Sequence, residues 1–160
     1  MSSAFDPTLI LDAAETTEAA QKGDPIPVGE YTGMTGSVHK VKRVTTKDND
    51  VLHFLEFQVM IDGSSPTPDG RTVSEVTGAR STTLRAEGRV DLTPQGGWDF
   101  AKGKNNFIRR VREALGQNVP GQAWKLPMIH NQPIKVVVGH RPDKDDPTIL
   151  YPEVKSFLAR

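Results

Sequence analysis

The chain of 160 residues contains no cysteine, so disulfide bonds and zinc sites built on thiolates are excluded. Its four histidines, His39, His53, His130 and His140, are scattered without the spacing of metal ligands, and we expect neither a metal site nor a cofactor. No apolar run approaches the roughly 20 residues that cross a bilayer, and the N-terminus lacks the basic and then apolar segments of a secretion signal. We therefore expect a cytoplasmic protein with no membrane contact.

Catalytic motifs are also lacking. The stretch "GWDFAKGKN" resembles a phosphate-binding P-loop, but five residues separate Gly97 from Gly103 where four are required, and Asn105 replaces the magnesium-binding Ser or Thr. The acidic runs "DND" (48–50) and "DKDD" (143–146) fall in turn sequences, where Asp and Asn serve backbone geometry. No nucleophile has a recognisable neighbouring base, so we do not expect an enzyme.

The chain does have an uneven charge distribution beneath a net charge of zero. Residues 1–30 carry six acidic side chains against Lys22 alone, a net −5, and the other 130 residues carry 19 basic and 14 acidic side chains, a net +5. Residues 1–24 are rich in Ala, Thr and acids, which predicts a flexible acidic N-terminal arm with one short helix around "LILDAAETTEAA". The folded domain is expected over residues 25–160. The arm is either a partner-binding segment or a solvated tail.

Alternation of apolar and polar residues predicts five strands. The first contains Gly33 and Gly36 and is expected to bend or bulge. The polar stretch at 62–79 is predicted to be a long loop outside the core, either without regular structure or with a short ribbon at "RTVSEV". The predicted strands cover residues 30–44, 51–61, 81–92, 134–141 and 148–158.

The second and third strands each have one apolar face. On the second strand the apolar face consists of Val51, Leu55, Phe57, Val59 and Ile61, with Phe54, Glu56 and Gln58 on the other side. On the third strand Leu84, Ala86, Val90 and Leu92 point inward, and Thr83, Arg85, Glu87 and Arg89 point outward.

The stretch "KGKNNFIRRVREALGQN" at 102–118 combines dense basic charge with a helical pattern. At 100° per residue its apolar residues fall within an arc of about 120°, the width of a stripe that faces a core. Asn105 or Asn106 is expected to cap the start, and Gly116 to supply the left-handed residue after the end. The helix is therefore predicted to pack rather than to recognise DNA. Its apolar stripe consists of Phe107, Ile108, Val111, Ala114 and Leu115.

Three strands, one helix and two more strands are the order of elements in an OB-fold. This fold is a five-stranded, partly open barrel, and the helix between its third and fourth strands plugs one end. A mainly β, five-stranded OB-fold barrel is thus the predicted fold. A two-sheet β-sandwich with an inserted helix is the alternative.

Residues suited to binding single-stranded nucleic acid occur on the elements that form the ligand face of an OB-fold. Such binding needs a basic groove for the phosphates and exposed rings on which bases stack. Phe54, on the polar side of the second strand, either stacks on a base or packs beneath the long loop. Trp98, in the loop "PQGGWDFAKGK", either clamps a base or covers the barrel end. The predicted DNA-binding residues are Lys40, Lys42, Arg43, Phe54, Arg85, Arg89, Trp98, Lys102 and Lys104.

Three segments, "PIPVGEY", "GKNNFIRRVREALGQN" and "HRPDKDDPTILYPEVKSF", resemble the small single-stranded DNA-binding proteins of bacteriophages. The resemblance covers roughly residues 24–158. It implies an OB-fold protein without catalytic activity that coats and protects single-stranded DNA in phage replication and recombination. Many single-stranded DNA-binding proteins recruit partners through an acidic C-terminal tip, whereas this chain ends in "SFLAR". Either the acidic arm takes over that role, or no such recruitment occurs.

A second hypothesis is a non-catalytic protein-interaction or virion-associated β-barrel module. It is favoured by the weak net charge of the body, and a fold does not fix a function. Under the first hypothesis the partners are single-stranded DNA and, through the arm, replication or recombination proteins. Whether the chain forms a homo-oligomer stays open.

Overall fold

The protein is mainly β, and the computed structural model describes residues 23–159. All five strands belong to one antiparallel sheet in the order β3-β2-β1-β4-β5. The five predicted strands are therefore confirmed, and the alternative of a two-sheet sandwich is wrong. The strands are β1 (Gly29–Thr45), β2 (Val51–Asp62), β3 (Ser81–Val90), β4 (Pro133–Pro142) and β5 (Leu150–Phe157). The predicted arm and its short helix lie outside the described residues, except for Gly23 and Asp24.

Strand β1 is the central strand and is shared by two partners. Residues 29–34 pair with β4, and residues 34–45 pair with β2. The register shifts between Thr35 and His39, which confirms the predicted irregularity of this glycine-containing strand. The shift allows one long strand to bend from one partner to the other.

The edges of the sheet are β3 and β5, and no backbone ladder joins them within residues 23–159. The sheet is therefore not closed into the predicted barrel. Side chains meet near this opening: the ring of Phe157 stacks on Phe57 with centroids 6.0 Å apart and lies 5.7 Å from Phe107. Aromatic rings, in place of backbone hydrogen bonds, thus link β5 to β2 and to the helix that follows β3.

The inward faces of β2 and β3 form the core much as the alternation predicts. Val51 is an exception, with 43% of its surface exposed. It pairs with Thr45 next to the turn of the β1–β2 hairpin, beyond the β2–β3 pairing, which ends at His53 and Val90. The buried strand residues from the predicted faces are Leu55, Phe57, Val59, Ile61, Leu84, Ala86 and Val90.

The helices are short, and each lies in a connection between strands. Helix α1 spans Val73–Thr77, α2 spans Asn106–Ala114, and a 3-10 turn spans Leu126–Ile129. The predicted helix between the third and fourth strands is α2, but it is not alone there because the 3-10 turn follows it. Among the residues described, no helix has the length and apolar character needed to cross a membrane.

Helix α2 packs through the predicted apolar stripe. Ile108 and Val111 are fully buried, Ala114 and Leu115 are nearly so, and Phe107 is partly buried against the same core. Gly116 follows the helix with φ of 69°, as predicted for the residue after the end. The basic stretch at 102–118 is therefore a packing helix.

Helix α1 corrects the prediction of an irregular loop or ribbon at 62–79. The hydroxyl of Thr72 accepts a hydrogen bond from the backbone N–H of Glu75 at 3.2 Å and caps the start. Gly78 ends the helix at φ of 72°, which glycine adopts without strain. Val73 and Val76, one turn apart, are buried, so the segment does contribute to the core. Two apolar residues are too few to produce a visible period.

Gly88 sets the approach of α2 to the sheet, and Gly88→Ala is expected to destabilise the protein by about 2 kcal/mol. A Cβ on Gly88 would overlap three carbon atoms of the Phe107 ring, which packs against Phe57 and Phe157 and cannot simply move aside. Urea denaturation followed by circular dichroism measures the effect. Gly36→Ala is the control, because the nearest atoms to its Cβ lie 3.6 Å away. Equal stability of the two variants would contradict this account of the packing.

Candidate nucleic-acid interface

The side of the β1–β2–β3 sheet that faces away from the core gathers most of the predicted binding residues. Directly opposed residues of antiparallel strands point to the same face. The register places Lys42 opposite Phe54 and Phe54 opposite Arg89, so the three form one row across the sheet. We call this surface the outer sheet face; it is formed by Lys40, Lys42, Phe54, Glu56, Gln58, Arg85, Glu87 and Arg89.

Phe54 lies in the middle of its row, between a lysine and an arginine. Cβ atoms of directly opposed residues are about 4.5–5.5 Å apart. The side chains of Lys42 and Arg89 therefore begin within one side-chain length of the Phe54 ring. The ring is half-buried, which leaves part of it accessible to a ligand. An accessible ring with a cation on each side is the arrangement that a stacked base with its two flanking phosphates requires.

A network of ion pairs joins the row of Phe54 to the two neighbouring rows on the same face. Lys42 Nζ lies 2.7 Å from Glu56 Oε2 and 3.3 Å from Glu87 Oε2. Arg85 approaches the same two carboxylates at 3.9 and 3.7 Å. The hydrogen bond to Glu56 raises the pKa of Lys42, and the hydrogen bond from Lys42 lowers the pKa of Glu56. Both partners therefore remain charged at neutral pH.

The network limits the positive charge of the outer sheet face without removing it. Four basic side chains stand against two carboxylates on this face, and Arg89 also lies 3.5 Å from Asp91 just beyond the end of β3. All of these side chains are partly exposed, and such surface ion pairs contribute only about 0–1 kcal/mol each. A phosphate can therefore replace a carboxylate partner at little cost.

Arg43 does not belong to the outer sheet face. It is opposite His53, and it follows Lys42 directly in β1. Successive residues of a strand point to opposite faces, so Arg43 lies on the other side of the sheet from Lys42. The alternation therefore separates these two predicted binding residues.

The loop that carries Trp98 is a short hairpin. Leu92 and Trp98 form a β-bridge, and Thr93 donates its backbone N–H to the carbonyl of Gly97 at 2.7 Å. Trp98 is partly buried and packs against the core. Of the two alternatives for Trp98, a base clamp and a cover over the barrel end, its packing against the core favours the cover.

Trp98 is part of a group of rings around one arginine that the sequence did not reveal. We call Trp98, Phe100, Trp124 and Arg112 the aromatic cluster. The Arg112 guanidinium carbon lies 4.8 Å from the centre of the Trp124 ring and 5.5 Å from that of Phe100. Partial burial lowers the pKa of Arg112 from its ordinary value, although a guanidinium remains protonated in water. Three separate chain segments meet here, so no local motif could have indicated the cluster.

The two predicted loop lysines differ in their surroundings. Lys104 Nζ donates to Asp99 Oδ2 at 2.8 Å, and this bond raises the pKa of Lys104 and lowers that of Asp99. Lys102 is exposed and makes no ion pair with any residue in 23–159. Lys104 lies beside the aromatic cluster, in a groove that Phe100 and Arg112 also line.

Two histidines that are 91 residues apart in sequence meet in space. His39 Nδ1 and His130 Nε2 are 2.8 Å apart, and their rings stack with centroids separated by 5.0 Å. Burial and the neighbouring His130 lower the pKa of His39. Across residues 23–159 no group of three or more His, Asp or Glu side chains is placed to hold a metal ion.

A scan against models of known protein families finds no match to this chain, and a comparison with curated proteins finds none either.

Proposed function

We propose that the chain is an OB-fold protein that binds single-stranded DNA with little sequence preference. It would coat and protect that DNA during phage replication and recombination in the host cytoplasm. The OB-fold assignment is supported by the order of the elements, with α2 between β3 and β4, and by β1 pairing with both β2 and β4. The function is supported most directly by one observation: Phe54 lies between Lys42 and Arg89 on the outer sheet face.

A single strand suits this surface better than a duplex does. Bases of a single strand are free to stack on a side-chain ring, whereas the bases of a duplex already stack on each other. Every base has a flat face, so stacking on Phe54 would not select a sequence. Contacts from Lys42 and Arg89 to the backbone phosphates would position the strand without reading it.

A salt titration tests the proposed function. Binding of labelled oligo-dT, oligo-U and a DNA duplex of equal length is measured side by side by fluorescence anisotropy. If all four cations of the outer sheet face neutralise a phosphate, the logarithm of the affinity for oligo-dT should fall with the logarithm of salt at a slope of about −3. Absence of binding to oligo-dT at low salt, or binding that salt does not weaken, would sink the proposal.

Phe54→Ala is expected to weaken binding to oligo-dT by about 1–3 kcal/mol, or about 5- to 150-fold, because a base loses its stacking partner. Anisotropy titration at fixed salt measures the loss. The salt slope should stay the same, because no cation has been removed.

Two matched variants separate stacking from packing at this position. Phe54→Leu keeps an apolar side chain of similar size but removes the flat ring, so it should bind nearly as weakly as Phe54→Ala while keeping the melting temperature closer to wild type. Thr32→Ala, at an exposed position of β1 where the strand pairs with β4 and outside the outer sheet face, should bind like wild type. If Phe54→Ala keeps full affinity and only loses stability, Phe54 is a packing residue.

A further inference from the structure

The aromatic cluster retains an exposed ring that packing does not explain. Phe100 stacks beside Trp98, with centroids 6.1 Å apart, yet 49% of its surface is exposed. Large apolar rings are normally buried, and an exposed ring among cations is a common feature of surfaces that bind nucleic acid. Trp98 and Trp124, by contrast, are both partly buried and lie 5.7 Å apart. Phe100 is therefore the most exposed ring of the cluster.

A basic groove of about 330 Å³ runs beside Phe100. Its lining includes Lys104, Arg109 and Arg112, all of which carry positive charge, together with Asn118. Two carboxylates lie near these cations: Asp99 pairs with Lys104, and Glu113 pairs with Arg109 at 3.9 Å. The groove thus combines an exposed ring with excess positive charge.

A second groove connects this site to the outer sheet face. It has a volume of about 380 Å³ and is lined by Arg89 and Lys104, together with Asp91, the carboxylate that pairs with Arg89. Arg89 is also the last cation of the outer sheet face, and Lys104 also lines the groove beside Phe100. Each pair of neighbouring surfaces therefore shares a basic residue, and a polyanion could follow them without crossing an uncharged gap.

We propose that Phe100 forms a second base-binding subsite, which the same single strand reaches from Phe54 by way of Arg89 and Lys104. This inference rests on the proposed function and extends it: the outer sheet face holds a short segment of DNA, and the grooves guide a longer strand to Phe100. The sequence left two alternatives for Trp98, a base clamp and a cover over the barrel end, and placed it among the candidate DNA contacts. The structure assigns that role to Phe100, because Trp98 lies against the core and Phe100 is exposed.

The positions of the tryptophans allow the subsite to be observed directly. The chain has two tryptophans, Trp98 and Trp124, and both belong to the aromatic cluster. Quenching of intrinsic fluorescence therefore reports DNA at the cluster, while anisotropy of an end-labelled oligonucleotide reports binding anywhere on the protein. Oligo-dT of about 5 and of about 16 nucleotides, which lie near the two ends of the range of OB-fold site sizes, separate the two surfaces.

Phe100→Ala is expected to weaken binding of the long oligonucleotide by about tenfold and to change binding of the short one by less than about twofold. The long oligonucleotide should quench wild-type fluorescence, and the short one should bind with little quenching. Phe100→Tyr is the matched control, because it keeps a flat ring and should retain wild-type affinity. The melting temperatures of both variants should stay near that of wild type, because substitution of an exposed ring does not disturb the core.

The outcomes separate this inference from the proposed function. If the long oligonucleotide binds without quenching tryptophan fluorescence, or binds Phe100→Ala as tightly as wild type, the subsite is absent and the proposed function stands. If neither oligonucleotide binds wild-type protein at low salt, the proposed function fails and the subsite fails with it.

Discussion

Val111→Asp is expected to unfold the domain. Val111 lies on α2 with none of its surface exposed, in a core shared with Ile108 and the inward faces of the strands. A carboxylate at this position would lose its hydration among apolar side chains, at a cost of several kcal/mol even if it becomes protonated. Because whole domains are stable by only about 5–15 kcal/mol, the change should abolish the folded state. Circular dichroism and amide NMR dispersion measure the loss.

Arg110→Asp is the control for this result. It introduces the same residue on the same helix, one position earlier, but the Arg110 side chain is exposed. Exposed substitutions of this kind usually change stability by less than about 0.5 kcal/mol. If Val111→Asp were as stable as Arg110→Asp, α2 would not pack into the core as described.

Val111 is buried and Arg110 is exposed, and the pattern of apolar residues along the chain was sufficient to predict this difference. A helical period and a strand alternation both record which side of an element is buried, so α2 and the inward faces of β2 and β3 were predictable. Val51 fits the same alternation and is nevertheless exposed, because the pattern shows the face of a strand and not where the core ends. Closure of the sheet depends on how its two edges meet, and no local period encodes that.

The candidate site was also predictable only in part. The sequence could place Phe54 on the polar face of a strand, but its position between Lys42 and Arg89 depends on the register of three strands. The aromatic cluster depends on contacts between Phe100, Arg112 and Trp124, which come from different segments. A loop that looked mobile from its glycines proved to be hydrogen-bonded, both within itself, as between Lys104 and Asp99, and to Asn105 beyond its end.

Asn105→Ala is expected to destabilise the protein by about 3 kcal/mol and to lower the melting temperature by about 10 °C. The sequence predicted Asn105 as a cap for α2, and it does stand at that position, but its side chain makes no bond to the helix. Its carbonyl oxygen accepts from the backbone N–H of Asp91 at 2.8 Å, and its amide donates to the carbonyls of Asp91 and Asp99 at 2.7 Å each. Only 1% of its surface is exposed, so water cannot replace these partners. Thermal unfolding by calorimetry measures the change.

Two further variants divide that effect into its causes. Asn105 has φ of 53°, a left-handed conformation that costs alanine about 1–2 kcal/mol and glycine almost nothing. Asn105→Gly should therefore be more stable than Asn105→Ala by about 1 kcal/mol, and the remaining loss belongs to the hydrogen bonds. Asn106→Ala, which removes one exposed bond of 3.4 Å, should be close to wild type. If Asn105→Ala were as stable as Asn106→Ala, the buried hydrogen bonds of Asn105 would contribute nothing to the stability of the protein.

The same substitution should also affect binding, because Asn105 connects the two proposed DNA contacts. It holds Asp91, which pairs with Arg89 beside the outer sheet face, and Asp99, which pairs with Lys104 beside Phe100. Below the melting temperature, Asn105→Ala should therefore weaken long oligo-dT more than short oligo-dT, as Phe100→Ala does. Equal weakening at both lengths would indicate a general loss of folded protein, and unchanged binding at both would mean that the loop position does not matter for DNA.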